Sequence, residues 1–106
     1  MEVNKADWKK FRNSLEMWRE RYLKRKNNEI RAILGSKDLD ETGKFWNIAE
    51  FQKTEIKKLR NCLDNYTRSN MTLHMALMKE YGMIDPEDIR EFSVEMQKHI
   101  ERIPFS

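Results

Sequence analysis

Four residues around the start of the second predicted helix have the spacing of ligands in a calcium-binding helix-loop-helix site. Asp38, Asp40 and Thr42 match ligand positions one, three and five, and Gly43 matches the turn glycine. The twelfth position, where such a loop requires a bidentate Glu, holds Ala49. Because the loss of that ligand removes most of the affinity, we interpret the segment as an acidic loop that caps the following helix.

The two histidines are the next candidates for chemistry. His74 and His99 fall on different predicted helices, and Glu95 precedes His99 by four residues on the same helical face. A carboxylate-bridged di-metal bundle needs several more inward Glu and His residues than this chain offers. The sequence also has no glycine-rich phosphate loop, no Ser-His-Asp arrangement and no Cys-His cluster. We therefore expect no enzyme activity, no metal, no cofactor and no small-molecule substrate.

A basic cluster lies in the first predicted helix. Its members fall within eight residues: Arg19, Arg21, Lys24, Arg25 and Lys26. Aromatic residues occur around the cluster, a mixture that is found in nucleic-acid-binding proteins. On a helical wheel, however, the basic residues spread around the helix, while Trp8, Phe11, Trp18 and Tyr22 share one apolar arc that the core needs. The pattern favours a charged face for an acidic partner or for the acidic C-terminal part of the chain, with phosphate binding as the alternative.

Composition indicates helices joined by short connections. The chain has 106 residues, of which 37% are charged and 39% hydrophobic, with only three Gly and two Pro. Residues 1–34 carry ten Lys and Arg against five acids, and residues 83–106 carry three against six. Apolar runs of membrane-spanning length and a leader pattern are both missing, and Cys62 is the single cysteine. We therefore expect a cytoplasmic protein without membrane contact or an internal disulfide.

Apolar periodicity predicts three helices, at about 6–34, 41–81 and 86–103, in one all-α domain. In the central helix, one seam position repeats at Ala49, Ile56, Leu63, Asn70 and Leu77, and the other at Phe45, Gln52, Leu59, Tyr66 and Leu73. Residues 64–70 are poor helix formers, so a break there is an open alternative. Gly35 and Gly82 are expected to end the first two helices in the left-handed conformation, and Asp85 and Pro86 to start the third.

The short loop between the first two helices predicts an elongated antiparallel, coiled-coil-like hairpin. The third helix then folds onto the far end of the central helix, around Leu73 and Leu77. In such a hairpin, two residues that face each other across the helices have numbers that sum to about 78, which places Phe11 beside Tyr66. The same register sets Lys26 and Asn27 against Gln52 as a polar layer.

These lengths leave apolar residues that the first and third helices do not cover. We expect a self-association surface at Phe51, Met71, Met75 and Met78, closed by a two-fold antiparallel homodimer. Asn70 is expected to face its counterpart or Trp8. The sequence thus favours a small non-enzymatic protein-protein interaction or structural module that binds itself and another protein. The alternative is a basic nucleic-acid-binding regulator that uses the N-terminal helix.

Overall fold

The computed structural model describes residues 2–105, and about 74% of them are helical, with no strands among them. The all-α prediction is therefore confirmed. Five helices follow one another along the chain: α1 (Lys5–Leu34), α2 (Glu41–Leu63), α3 (Met71–Glu80), α4 (Pro86–Arg90) and α5 (Val94–Arg102).

The single central helix predicted over 41–81 is wrong, because residues 64–70 interrupt it. Asn65 has a φ of 58°, in the left-handed region that Asn tolerates better than most residues. The Asn70 side chain closes the loop by accepting a hydrogen bond from the Thr67 backbone N–H at 2.6 Å. Its amide nitrogen donates to the Asn65 carbonyl at 3.1 Å. The Asn70 amide thus binds residues of the break itself and does not bind Trp8 as predicted.

The helix predicted over 86–103 is also divided, into α4 and α5. Its first turn agrees with the sequence, since Asp85 and Asp88 form a reciprocal capping box before and after Pro86. The division comes at Ser93, whose side chain caps α5. Asp7 of α1 accepts a hydrogen bond from the Ser93 backbone N–H at 3.0 Å and another from its Oγ at 2.6 Å. A buried carboxylate therefore holds the start of α5 against the start of α1.

The two glycines behave differently from each other. Gly82 has a φ of 74° and ends α3 as expected, with the Met83 N–H donating to the Met78 carbonyl at 2.8 Å. Gly35 ends α1 with a φ of −87°, so the left-handed cap predicted there is wrong. Its N–H instead donates to the Arg31 carbonyl at 2.9 Å, which continues the helical pattern by one residue.

All buried residues lie in one part of the molecule, which we call the base. The base contains the N-terminal two-thirds of α1, the end of α2, and α3 to α5. Its largest fully buried side chains are Trp18, Tyr22, Phe11, Met71, Met75, Met78, Met83 and Met96. In the C-terminal part of the chain, Ile89, Phe92, Met96 and Ile100 recur at three- and four-residue spacings and are all buried. The core thus contains side chains from all five helices.

The remaining parts of α1 and α2 extend away from the base as a pair of helices. The molecule measures 52 × 24 × 21 Å, and its radius of gyration is 16.4 Å, against about 13 Å for a compact domain of this length. α1 and α2 run antiparallel. Phe11 lies beside Tyr66 as predicted, with ring centroids 5.4 Å apart.

The Asp7 contact predicts a large loss from a small substitution. Asp7→Ala should lower the free energy of unfolding by about 2–3 kcal/mol, because it removes two hydrogen bonds to a buried carboxylate. Asp7→Asn keeps an acceptor oxygen and should lose less. Urea denaturation followed by circular dichroism at 222 nm compares the two variants. Equal losses would mean that the negative charge, and not the pair of bonds, determines the effect.

Candidate binding surface

No residue from 23 to 54 is buried, and we call this segment the hairpin tip. It comprises the last third of α1, the loop and the first half of α2. Leu23, Ile30 and Ile33 of α1 are half-buried, as are Ile48 and Phe51 of α2. Two helices alone cannot enclose a core, so the apolar side chains of the tip stay partly in water. The tip is therefore the part of the chain where an additional layer can add most burial.

Only the end of the predicted seam in α2 packs against the rest of the chain, where Leu59 and Leu63 are half-buried against the core. Glu55 and Cys62, seven residues apart, are the buried residues of α2. Phe45 and Ile56, by contrast, were assigned to the seam and are 65% and 45% exposed. The helix is thus rotated by roughly one residue from the predicted orientation. Because a heptad reading assigns a Glu to the outside, it cannot find this rotation.

A buried polar contact fixes that rotation. Tyr22, which is fully buried, donates its hydroxyl hydrogen to the Glu55 carboxylate. Lys58 Nζ and Lys26 Nζ lie 3.2 and 3.7 Å from the same carboxylate. Gln52 and Asn27 are exposed, so the polar layer predicted from Lys26, Asn27 and Gln52 is wrong in two of its three members. Lys26 pairs with Glu55 instead.

The environment of Glu55 lowers its pKa. Burial alone raises the pKa of Glu55, but the hydrogen bonds from Tyr22 and Lys58 and the charge of Lys26 outweigh it. On the other side of the contact, burial and the Glu55 hydrogen bond raise the pKa of the Tyr22 hydroxyl far above its ordinary value. The pair is therefore stable as a neutral phenol and a carboxylate.

This contact predicts a pH-dependent stability. The lowered pKa of Glu55 means that its contribution is fully present above the unfolded pKa of about 4.3 and is lost as the pH falls through the folded value. Tyr22→Phe should cost about 1–3 kcal/mol at pH 7, because it removes a buried donor to a charged group. Urea midpoints at pH 7 and pH 3 test both statements. Glu55→Gln should show a smaller difference between the two pH values than the wild type, and an unchanged difference would contradict the assignment.

The first four seam positions of α2 do not pack inward and form an open, mainly apolar strip instead. We call Phe45, Ala49, Gln52 and Ile56 the outer stripe of α2. Two shallow grooves run along it and share Ala49 and Gln52, so the strip is continuous. Leu34 at the end of α1 is 54% exposed and extends the strip across the loop. The stripe is thus an apolar surface that is open to solvent.

An aromatic pair lies at the loop end of the stripe. Trp46 is 61% exposed, and its ring meets that of Phe45 edge to face with centroids 5.2 Å apart. Large aromatic side chains are enriched where protein surfaces meet, because they bury much area with few rotatable bonds. Trp46 was not among the predicted binding residues, although a Trp beside a seam position was a visible signal in the sequence.

Three basic residues border the other end of the stripe, and we call them the basic rim: Lys53, Lys57 and Arg60. All three are exposed. They lie at spacings of four and three residues, so they share one side of α2. Within residues 2–105, the ion pairs do not include any of them. These three residues were not among the predicted binding residues either, although their spacing alone places the three charges together.

Some residues of the basic cluster predicted in α1 contact other groups of the chain, and the others are exposed. Arg21 donates to the Asp88 carboxylate and Arg25 to the Gly82 carbonyl, while Lys26 contacts Glu55. Burial raises the pKa of Asp88, but the Arg21 bond and the capping-box bond hold it below its ordinary value. Arg19 and Lys24 are exposed. Within this cluster, Arg21 is thus the residue that pairs with the acidic C-terminal part of the chain.

The predicted self-association surface is wrong for three of its four residues. Met71, Met75 and Met78 are each 0% exposed, and Phe51 is half-buried. The break at residues 64–70 is the cause, because it lets α3 turn and place its methionines in the base. A second copy therefore cannot bind these side chains without unfolding the base.

The remaining candidates have structural contacts within the chain. The Asp40 side chain accepts a hydrogen bond from the Gly43 N–H at 2.7 Å and caps α2, as the sequence indicated. His74 Nδ1 lies 2.7 Å from the Cys62 carbonyl oxygen, and burial raises the pKa of the Cys62 thiol to about 12. Across residues 2–105, no three His, Cys, Asp or Glu side chains are grouped closely enough to share a metal ion.

None of the helices in the described part of the chain combines the length and the apolar character needed to cross a membrane. Comparison of the chain with protein-family models, with curated proteins and with solved structures gave no match.

Proposed function

We propose that this chain is a non-enzymatic protein-protein interaction module that binds its partner through the outer stripe of α2. The observation that supports this most directly is that residues 23–54 contain no buried side chain. The tip nevertheless presents Leu34, Phe45 and Trp46 to solvent, and Ile56 follows directly after it. The base supplies the folding stability, and the tip supplies apolar area that binding can bury.

The shape of the stripe suits a helical partner. The outer stripe repeats at three- and four-residue spacings along α2, which is the pattern that a second helix can pack against. The outer stripe and the basic rim together, from Phe45 to Arg60, extend on the order of 22 Å. A helix of about four turns laid beside α2 would complete a third layer over the tip.

A homodimer is the second proposal for the partner. With the three methionines buried, the outer stripe is the surface that we propose for a second copy, because Phe45 and Ile56 are open there beside two continuous grooves. Light scattering after size exclusion tests it directly. A mass near 12.9 kDa that does not change on raising the concentration contradicts the dimer.

Nucleic-acid binding through α1 has less support. Arg21, Arg25 and Lys26 already contact groups of the same chain, which leaves Arg19 and Lys24 of the predicted cluster. The α1 aromatics Phe11, Trp18 and Tyr22 are buried and offer no face for base stacking.

We also propose a cytoplasmic location, on the basis of the unpaired, buried Cys62.

Site-specific photo-crosslinking tests the interaction module. A photoreactive amino acid replaces Ile56 in one variant and Thr54, which lies on the opposite side of α2, in the matched control. In the cell of origin, we expect the probe at position 56 to form a discrete adduct that mass spectrometry identifies as one protein. Phe45→Ser should abolish the adduct. Equal labelling from both positions, or an adduct that survives Phe45→Ser, contradicts the proposal.

A further inference from the structure

We infer that the partner of the outer stripe is an amphipathic helix of another protein whose apolar stripe is flanked by Asp and Glu. This inference rests on the proposed function and adds the chemistry of the partner. Its basis is the charge around the grooves: Lys44 and the basic rim contribute four positive side chains, against the single carboxylate of Glu41. Lys44 and Glu41 already lie 3.5 Å apart. The net charge offered to a partner is that of the basic rim.

Three basic residues elsewhere in the chain pair with its own carboxylates. Lys10 pairs with Glu91 at 3.6 Å, Arg21 pairs with Asp88, and Lys26 pairs with Glu29 at 3.0 Å. The basic rim has no comparable carboxylate among the ion pairs of residues 2–105. Opposite charges on a partner would therefore find their complement here, next to the apolar stripe.

A second copy of the chain fits this charge pattern poorly. A two-fold axis brings a surface against itself. An antiparallel pairing of two stripes from Phe45 to Arg60 is centred near Gln52 and Lys53, so each Lys53 would approach its own copy. Like charges so placed oppose association. The stripe is thus better matched by a helix that carries carboxylates at the level of Lys53 and Lys57.

Two helical peptides of about 18 residues test the inference, since that length covers four to five turns. Both carry Leu at alternating three- and four-residue spacings. The flanking positions are Glu in one peptide and Lys in the other. Fluorescence anisotropy with the full chain should give affinity for the Glu peptide at least about tenfold tighter, because attraction replaces repulsion at the rim. The difference should shrink as salt rises.

Two sets of variants separate the charges from the apolar contact. Lys53→Glu with Lys57→Glu should reverse the peptide preference, whereas Arg19→Glu with Lys24→Glu makes the same charge change on exposed residues of α1 and should preserve it. Phe45→Ser with Ile56→Ser should abolish binding of both peptides. Because all these residues are exposed, circular dichroism should find each variant folded.

Several results would overturn the inference. Equal affinities, absence of binding, or a preference that the rim variant leaves unchanged would each exclude an acidic helix. A concentration-dependent dimer that Phe45→Ser with Ile56→Ser converts to monomer would assign the stripe to a second copy. Tighter binding of a single-stranded oligonucleotide, lost in the rim variant and kept in the stripe variant, would assign the rim to nucleic acid. If the Ile56 adduct forms while the charge preference is missing, the proposed function stands and only this inference fails.

Discussion

Met75→Asp is expected to leave the chain unfolded at 25 °C. Met75 is 0% exposed in the base, and its replacement removes a large buried apolar side chain, at a cost of about 2–5 kcal/mol. The new carboxylate has no partner there and must either stay charged in an apolar site or take up a proton, which adds several kcal/mol. The sum is comparable with the whole stability of a small domain, about 5–15 kcal/mol.

Leu73→Asp is the matched control for this prediction. Leu73 lies two residues away in α3 and is 46% exposed, so the same change of charge and helix propensity falls on the solvent side. We expect it to fold and to lose about 1 kcal/mol or less. Circular dichroism and urea titration distinguish the two variants. A folded, monomeric Met75→Asp chain derived from a dimeric wild type would restore the methionines as a self-association surface.

The elements that could be predicted from the sequence are those that depend on neighbouring residues. The capping box at Asp85 and Asp88 follows from local hydrogen bonding, and the buried face of the C-terminal helices follows from helical spacing. The Phe11–Tyr66 contact followed from loop length and antiparallel counting. In each case, the prediction needs only neighbouring residues or the length of one loop.

The parts that could not be predicted depend on groups far apart in the sequence. Glu55 lies inside because Tyr22, 33 residues away, donates to it, and this contact rotates α2. Ser93 interrupts the last helix because Asp7, 86 residues away, binds it. A periodicity reading assigns both acids to solvent. The heptad reading likewise placed the outer stripe inside, so its residues were not considered as an exposed surface.

The break between α2 and α3 could be suspected from composition, but its consequence could not be foreseen. Residues 64–70 are poor helix formers, and the structure shows that they form a loop closed by Asn70. Once the helix is interrupted, the heptad numbering before the loop no longer predicts the face after it. The buried face of α3 is therefore Met71, Met75 and Met78, while Leu73 of the predicted seam is exposed.

Phe11→Ala is expected to have the second-largest effect, a loss of about 3–5 kcal/mol. Phe11 is 0% exposed, and its ring contacts three others: Trp8 at 5.9 Å, Trp18 at 6.1 Å and Tyr66 at 5.4 Å between centroids. Aromatic pairs contribute about 0.5–1.5 kcal/mol beyond the area that they bury. Phe11→Leu keeps most of the volume without the ring and should lose less than half as much.

The loss should also extend beyond α1, because Tyr66 belongs to the break between α2 and α3. Arg68 Nε donates to the Val3 carbonyl at 2.8 Å, so Phe11 and Val3 together hold residues 64–70 against the start of α1. In Phe11→Ala, amide hydrogen exchange should accelerate at residues 64–70 more than in α5, whose attachment to Asp7 is intact. Urea denaturation gives the global loss, and exchange under native conditions gives its distribution. A uniform acceleration across all helices would mean that Phe11 stabilises the base as a whole without anchoring the break.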